Sequence, residues 1–134
     1  IPIITAETVG ADAFAQSIGA NQPTVLEKIN SVATSLGAKK VCQKAFKLAQ
    51  EHPVHAEVVS DKAAVNTCLK FLDDHRILVE PACGASLALA YQKTEVLQRY
   101  KNLLFIVCGG TVTSFQELQK LHNTLLEEDK AFAL

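Results

Sequence analysis

The amino-acid sequence predicts an α/β fold: an open, mostly parallel, twisted sheet with helices on both faces. Two observations carry this. Short apolar, β-branched runs alternate along the chain with stretches of helical periodicity, with no internal repeat or low-complexity tract. Hydrophobic residues make up 49% and charged residues 20%, so a core is affordable and disorder is excluded. The 134 residues suit one compact domain or one piece of a larger one.

The elements are expected in this order. Ile1 to Thr5 reads as a strand, and Gly10 then breaks the chain. Ala11 to Gly19 is a helix with Ala11, Phe14, Ala15 and Ile18 on one face. Asn21-Gln22-Pro23 is a loop, and Ile29 to Leu36 a short helix ended by Gly37. Val41 to Glu51 is a helix with Ala45, Leu48 and Ala49 inward, stopped by His52-Pro53. Val54 to Val59 is β-branched and reads as a strand. Ser60 caps a helix from Asp61 to His75 whose stripe is Ala64, Val65, Cys68, Leu69 and Leu72. Ile77 to Val79 is a short strand or extended segment. Glu80-Pro81-Ala82-Cys83-Gly84-Ala85 opens a helix to about Gln92, so rich in small and apolar residues that most of its sides are buried. Leu103 to Cys108 is a core strand, and Gly109-Gly110 a sharp turn. Ser114 to about Leu126 is the last helix, with Ser114 and Glu117 as a capping box and a stripe of Phe115, Leu118, Leu121 and Leu125. The tail beyond Glu127 is expected to fray.

Charge excludes one class of partner. Thirteen basic residues against 14 acidic ones leave no positive field for a nucleic acid. No apolar run approaches the ~18 residues of a membrane span, and no signal peptide is visible. No methionine occurs, and the chain opens on the apolar Ile1-Pro2-Ile3-Ile4, so residue 1 is expected to be a cut and not a translation start. Cys42, Cys68, Cys83 and Cys108 are widely spaced without a CxxC, which favours reduced, mostly buried thiols in a cytoplasmic protein over a zinc knot or disulfide framework. His52, His55, His75 and His122 show no ligand spacing, and His52 and His55 read as solvated loop residues.

Chemistry is expected at the carboxyl ends of the strands, where open α/β sheets bind ligands. Two features fall there. Val107-Cys108-Gly109-Gly110 ends the last strand: the glycines let backbone approach a ligand, and Cys108 offers a small polar group. The same pattern also makes an ordinary tight turn. Glu7, where the first strand ends, is a cation ligand, a general base or a charge on the following helix N-terminus, and the last is the default. No GxGxxG, GxxxxGK[ST] or GxSxG motif occurs, and no lysine reads as buried.

Four segments together resemble one family. They are Ile3 to Ala11 (IITAETVGA), Lys28 to Gly37 (KINSVATSLG), Val79 to Ala85 (VEPACGA) and Ile106 to Gly110 (IVCGG). In order and spacing they are similar to the C-terminal portion of the pyridoxal-phosphate-dependent L-serine/L-threonine dehydratases. These are fold type II enzymes, related to the tryptophan synthase β subunit. The resemblance runs from Pro2 to about Leu126. It implies that residues 1–134 are the C-terminal part of the large cofactor-binding domain. The N-terminal part and the small domain would be absent from this chain.

The resemblance implies a lyase of amino-acid catabolism that converts L-serine to pyruvate and ammonia, and L-threonine to 2-oxobutanoate. Its cofactor would be pyridoxal 5'-phosphate. The family's cofactor-linked lysine, its Ser-Ser-Gly-Asn loop and its tetraglycine phosphate cradle lie upstream, so no catalytic residue is expected in this chain. Cys108 matches the residue that hydrogen-bonds the cofactor ring nitrogen. A neutral thiol does not hold a proton there as a carboxylate would, which favours elimination over transamination. Related biosynthetic threonine deaminases and serine racemases tend to carry Ser or Thr at that position. Gly109 lets backbone pass close to the ring, and Ser35 matches the residue packed on the ring face, where relatives often have alanine. Asn30 departs from the expected threonine.

Glu7, with the carbonyls of Ala11, Leu36 and Ala38, matches a monovalent cation site. All-oxygen ligation of that kind suits potassium. The partners implied are an amino-acid substrate, the N-terminal segment of the same enzyme and a second copy in a homodimer, with no nucleic acid and no membrane. Two other readings stand beside this one: a non-catalytic fragment or paralogue serving as a binding or regulatory module, and a biosynthetic threonine deaminase or serine racemase on the same fold.

Overall fold

A computed structural model describes the backbone of residues 1–132. The elements run β1 (Ile3–Thr8), α1 (Ala13–Gly19), a single 3-10 turn (Thr34–Leu36), α2 (Gln43–Glu51), β2 (Val54–Val59), α3 (Asp61–His75), α4 (Pro81–Tyr91), α5 (Glu95–Gln98) and α6 (Phe115–Phe132). The α/β class holds, with a parallel sheet and packed helices.

Among the described residues the sheet has two strands. β1 pairs with β2 in parallel, from Ile3 opposite Val54 to Thr8 opposite Val59. That register explains why β1 runs on to Thr8 and does not stop at Thr5: β2 supplies partners over six positions. The Ile3 amide donates to Pro53 and the Val9 amide to Val59. Backbone groups of the alternate residues Ile4 and Ala6 therefore face the opposite edge, which no strand covers among the described residues.

Ile77 to Val79 takes the extended form of its two expected alternatives, without a ladder, and Val79 is fully buried. One expected strand does not form: Leu103 to Cys108 is not a core strand. Leu104 is 87% and Ile106 67% exposed, and no backbone hydrogen bond ties Leu103–Val107 to another described segment. An apolar β-branched run becomes a strand only when another strand lies alongside it.

The helices follow local chemistry. α3 begins where expected, because Ser60 Oγ accepts from the Ala63 amide at 3.1 Å. Arg76, in the left-handed conformation, ends it. Cys42 caps α2, so that helix starts at Gln43. Its expected inward residue Leu48 is 42% exposed, because α2 leans mainly on α1. α1 starts at Ala13, since the Ala11 amide closes a turn onto Thr8. Its buried residues are Ala13 and Ser17 and not the expected Phe14 and Ile18 face. Ser17 is satisfied there, donating to the Ala13 carbonyl at 2.6 Å and accepting from the Thr24 amide at 2.9 Å.

The expected helix over Ile29 to Leu36 shrinks to the 3-10 turn, because side chains capture its amides first. α6 is capped by Ser114 Oγ at the Glu117 amide, 3.2 Å. It continues to Phe132, past the expected fraying point, since no Gly or Pro interrupts Glu127 to Phe132.

The core is the α3–α4 contact. Val59, Ala64, Ala85, Ala88, Leu89, Val96 and Leu97 form one cluster; Cys68, Val79, Cys83, Leu87 and Leu118 form a second. Gly84 makes the contact close. A Cβ there would overlap the Ala64 carbonyl and sit 2.6 Å from Cys68 Sγ.

Candidate functional site

A cleft of about 220 Å³ lies beside the turn that hydrogen-bonds to the carboxyl end of β1 and to the start of α3. One wall is the Val32–Ser35 turn. The floor is Glu80, Pro81 and Ala82 at the start of α4, and the far wall is Val112, Thr113, Glu117 and Leu121.

A hydrogen-bond chain fixes the first wall. Asp61, the first residue of α3, accepts from Ser31 Oγ at 2.6 Å and from the Val32 amide at 3.0 Å. Ser31 has one hydroxyl proton and gives it to the carboxylate, so Thr8 donates its own hydroxyl to Ser31 Oγ at 2.7 Å. The Ala33 amide also donates to Ser31 Oγ, 3.0 Å. The turn carrying Ser35 is thereby tied to the end of β1 and to the start of α3. Ser35 itself is exposed on the cleft wall.

Cys108 and Gly109 are strapped to the floor. The Gly109 carbonyl accepts from the Glu80 amide at 3.0 Å and from the Cys83 thiol at 3.3 Å. The Cys108 amide donates to Cys83 Sγ, also at 3.3 Å. Gly109 has a φ of +126°, which L side chains rarely adopt, and its missing Cβ faces open space. Cys108 is exposed. Ser35 lines the cleft and Cys108 and Gly109 do not; these two border its floor segment through Glu80 and Cys83.

Glu7 is placed differently. Its Oε2 accepts from the Ala15 amide at 2.8 Å and its Oε1 from the Phe14 amide at 3.1 Å, so it neutralises the first turn of α1. Burial pushes its carboxyl above the ordinary value, against the pull of those two amides, and Asp12 adds to the rise. Glu7 does not line the cleft. Ala11, four residues on, is buried, and the Leu36 carbonyl accepts from the Ala38 amide at 2.7 Å. His52 is exposed at the end of α2, while His55 lies half-buried within β2 rather than in a loop. Among the described residues no cluster of three or more His, Cys, Asp or Glu side chains is poised for a metal, and no helix is long and apolar enough to cross a membrane.

Sequence reasoning missed Asp61 and Ser31 as positioning groups and Cys83 as the clamp on Cys108. Asp61 was visible only as a helix-start acid, and a partner 30 residues away leaves no local signal.

Comparison with known proteins then decides the family. The sequence model described as pyridoxal-phosphate dependent enzyme matches residues 1–109. The chain belongs to the pyridoxal-phosphate-dependent enzyme family. The human relative named "L-serine dehydratase/L-threonine deaminase" is 44% identical over 135 residues, covering 93% of this chain and 40% of the relative. The Dictyostelium discoideum protein named "L-serine dehydratase" is 43% identical over 130 residues, covering 93% and 37%. A fungal L-serine ammonia-lyase from Rhizomucor miehei superposes with a TM-score of 0.87 at 34% identity, covering 92% of this chain and 41% of that one. Maize serine racemase gives 0.77 at 26% identity, covering 92% and 40%. The chain therefore spans about 40% of the length of these relatives.

The residues present fit the family's cofactor. An exposed thiol beside a glycine with an open Cα face leaves room and polar contact for the edge of a planar heteroaromatic ring.

Proposed function

We propose that this chain is the cofactor-facing part of an L-serine and L-threonine ammonia-lyase. The products would be pyruvate or 2-oxobutanoate, with ammonia. The observation that carries this reading is the clamp of Cys108 and Gly109 onto Glu80 and Cys83. It ties the VCGG segment to the EPACGA segment, whose first residues floor the cleft. The relatives named for serine dehydratase support the same substrate class.

Pyridoxal phosphate, when bound, supplies the electron sink that accepts the pair left as the α-proton departs. In this reading Cys108 would offer its thiol to the ring nitrogen as a hydrogen-bond partner. Gly109 would admit the ring edge, and Ser35 would pack on one ring face. Asp61 and Ser31 keep Ser35 in place. None of these groups takes the substrate proton. The proton-abstracting lysine comes from a further segment of the enzyme, so the chain works only in that assembly.

The finer elements belong to the same proposal. Glu7, with the carbonyls of Ala11, Leu36 and Ala38, holds a potassium ion that completes the turn before the cleft wall. The intact enzyme is a homodimer of the cytoplasm, in keeping with four free cysteines.

The test is the native mass of the purified protein, its visible absorbance and pyruvate release from L-serine. The expected result is a mass above that of one chain, the absorbance of lysine-linked cofactor, and pyruvate. A cofactor-loaded assembly that releases no pyruvate from serine, or that only inverts it to D-serine, overturns the lyase reading.

A further inference from the structure

Three of the four cysteines lie in one row. Cys108 is exposed, Cys83 is buried in the first turn of α4, and Cys68 is buried behind it on α3. Cys83 Sγ touches the Cys108 segment twice, accepting from the Cys108 amide and donating to the Gly109 carbonyl, each at 3.3 Å. We propose that Cys83 and Cys108 form an oxidative modification site, closing to a disulfide under hydrogen peroxide and reopening with small thiols.

The geometry favours this pair. A disulfide needs Cα atoms roughly 4.4–6.8 Å apart. The Cys83 sulfur lies 3.3 Å from the Cys108 amide nitrogen, which brings the two side chains within reach once the Cys108 segment shifts toward it. That shift loosens the contacts of Glu80 and Cys83 with Cys108 and Gly109, but before them Leu103–Val107 carries no backbone hydrogen bond to another described segment, and the side of Gly109 where a Cβ would stand is open. Cys68 does not compete. Burial, then the neighbouring Cys83, pushes its thiol up to about 12, and a protonated buried thiol is a poor nucleophile.

The chemistry balances in two steps. The exposed Cys108 sulfur attacks peroxide: an S–O bond forms, the O–O bond breaks, and hydroxide leaves with the thiol proton as water. Cys83 sulfur then attacks the sulfenic sulfur: the S–S bond forms, the S–O bond breaks, and hydroxide takes the Cys83 proton as a second water. Two electrons pass from two thiols to one peroxide. A transient, sensing disulfide is the kind that cytosolic proteins carry. It would also consume the thiol that the proposed function sets against the cofactor, although its formation does not depend on that reading.

The full chain is treated with hydrogen peroxide, unfolded in guanidinium chloride, capped with N-ethylmaleimide and digested with trypsin. Lysines and arginines place all four cysteines on separate peptides. Maleimide adducts should fall from four to two, with the Cys83 peptide joined to the Cys108 peptide and dithiothreitol restoring four. Cys83→Ser should abolish the joined peptide, and the wild-type map decides the matter if that variant fails to fold. Cys108 oxidised beyond the sulfenic state without a link, Cys108 linked to Cys42 or Cys68, or four adducts retained would each overturn the proposal.

Discussion

Glu7 carries a carboxylate on which burial and two helix amides pull in opposite directions, and burial prevails. Its folded-state pKa lies above the ordinary value, so folding favours the protonated form. The stability it contributes is present below the ordinary carboxylate value and is lost as pH rises through the raised one. Glu7→Gln should flatten that part of the profile. Urea unfolding across this acid window should show wild type losing ground to the variant as pH climbs. A constant gap between the two would contradict the assignment. Potassium chloride, compared with tetramethylammonium chloride at neutral pH, should stabilise wild type and leave the variant unmoved if Glu7 also holds a cation. The sequence displayed Glu7 but not which of three roles it takes, because the amides of Phe14 and Ala15 become neighbours only when α1 folds back over it. Ser31 and Asp61 were silent for the same reason.

At the scale of elements, α3 and α4 were the most legible. Ser60 and Pro81 mark their starts, and the Ala64–Val65–Cys68 stripe is the buried face. Their packing rests on Gly84, whose lone hydrogen faces Ala64 and Cys68. Gly84→Ala should cost about 1–3 kcal/mol, the usual penalty for overfilling a tight contact, read as a lower thermal midpoint with far-ultraviolet dichroism retained. An unchanged midpoint would mean that the helices part without cost. The loop from Ile29 to Leu36 misled, because its apolar spacing mimics a helix while Asp61 and Ser31 draw away the amides that a helix needs. Leu103 to Cys108 misled in another way: its composition is that of a strand, and strand formation is a property of pairs.

Across the whole molecule, the unpaired edge of β1 and the Leu103–Ile106 run face each other over an apolar groove of about 370 Å³, floored by Leu89 and Leu97. Amides of Leu103 to Val107 should exchange with deuterium fast in the lone chain, having no backbone partner. In the assembly proposed above they should be slowed by orders of magnitude. Equal exchange in both states would show that nothing seats in the groove. The class of fold was legible because apolar runs and helices alternate along the chain. The number of strands was not, since a run's composition does not reveal whether a pairing partner lies alongside it.

That groove has a consequence for handling the protein. An open strand edge beside greasy side chains is a template for any other open edge, including that of an identical molecule. Refolding yield should therefore fall as concentration rises, and the order in which segments meet during synthesis sets how much soluble material a cell retains.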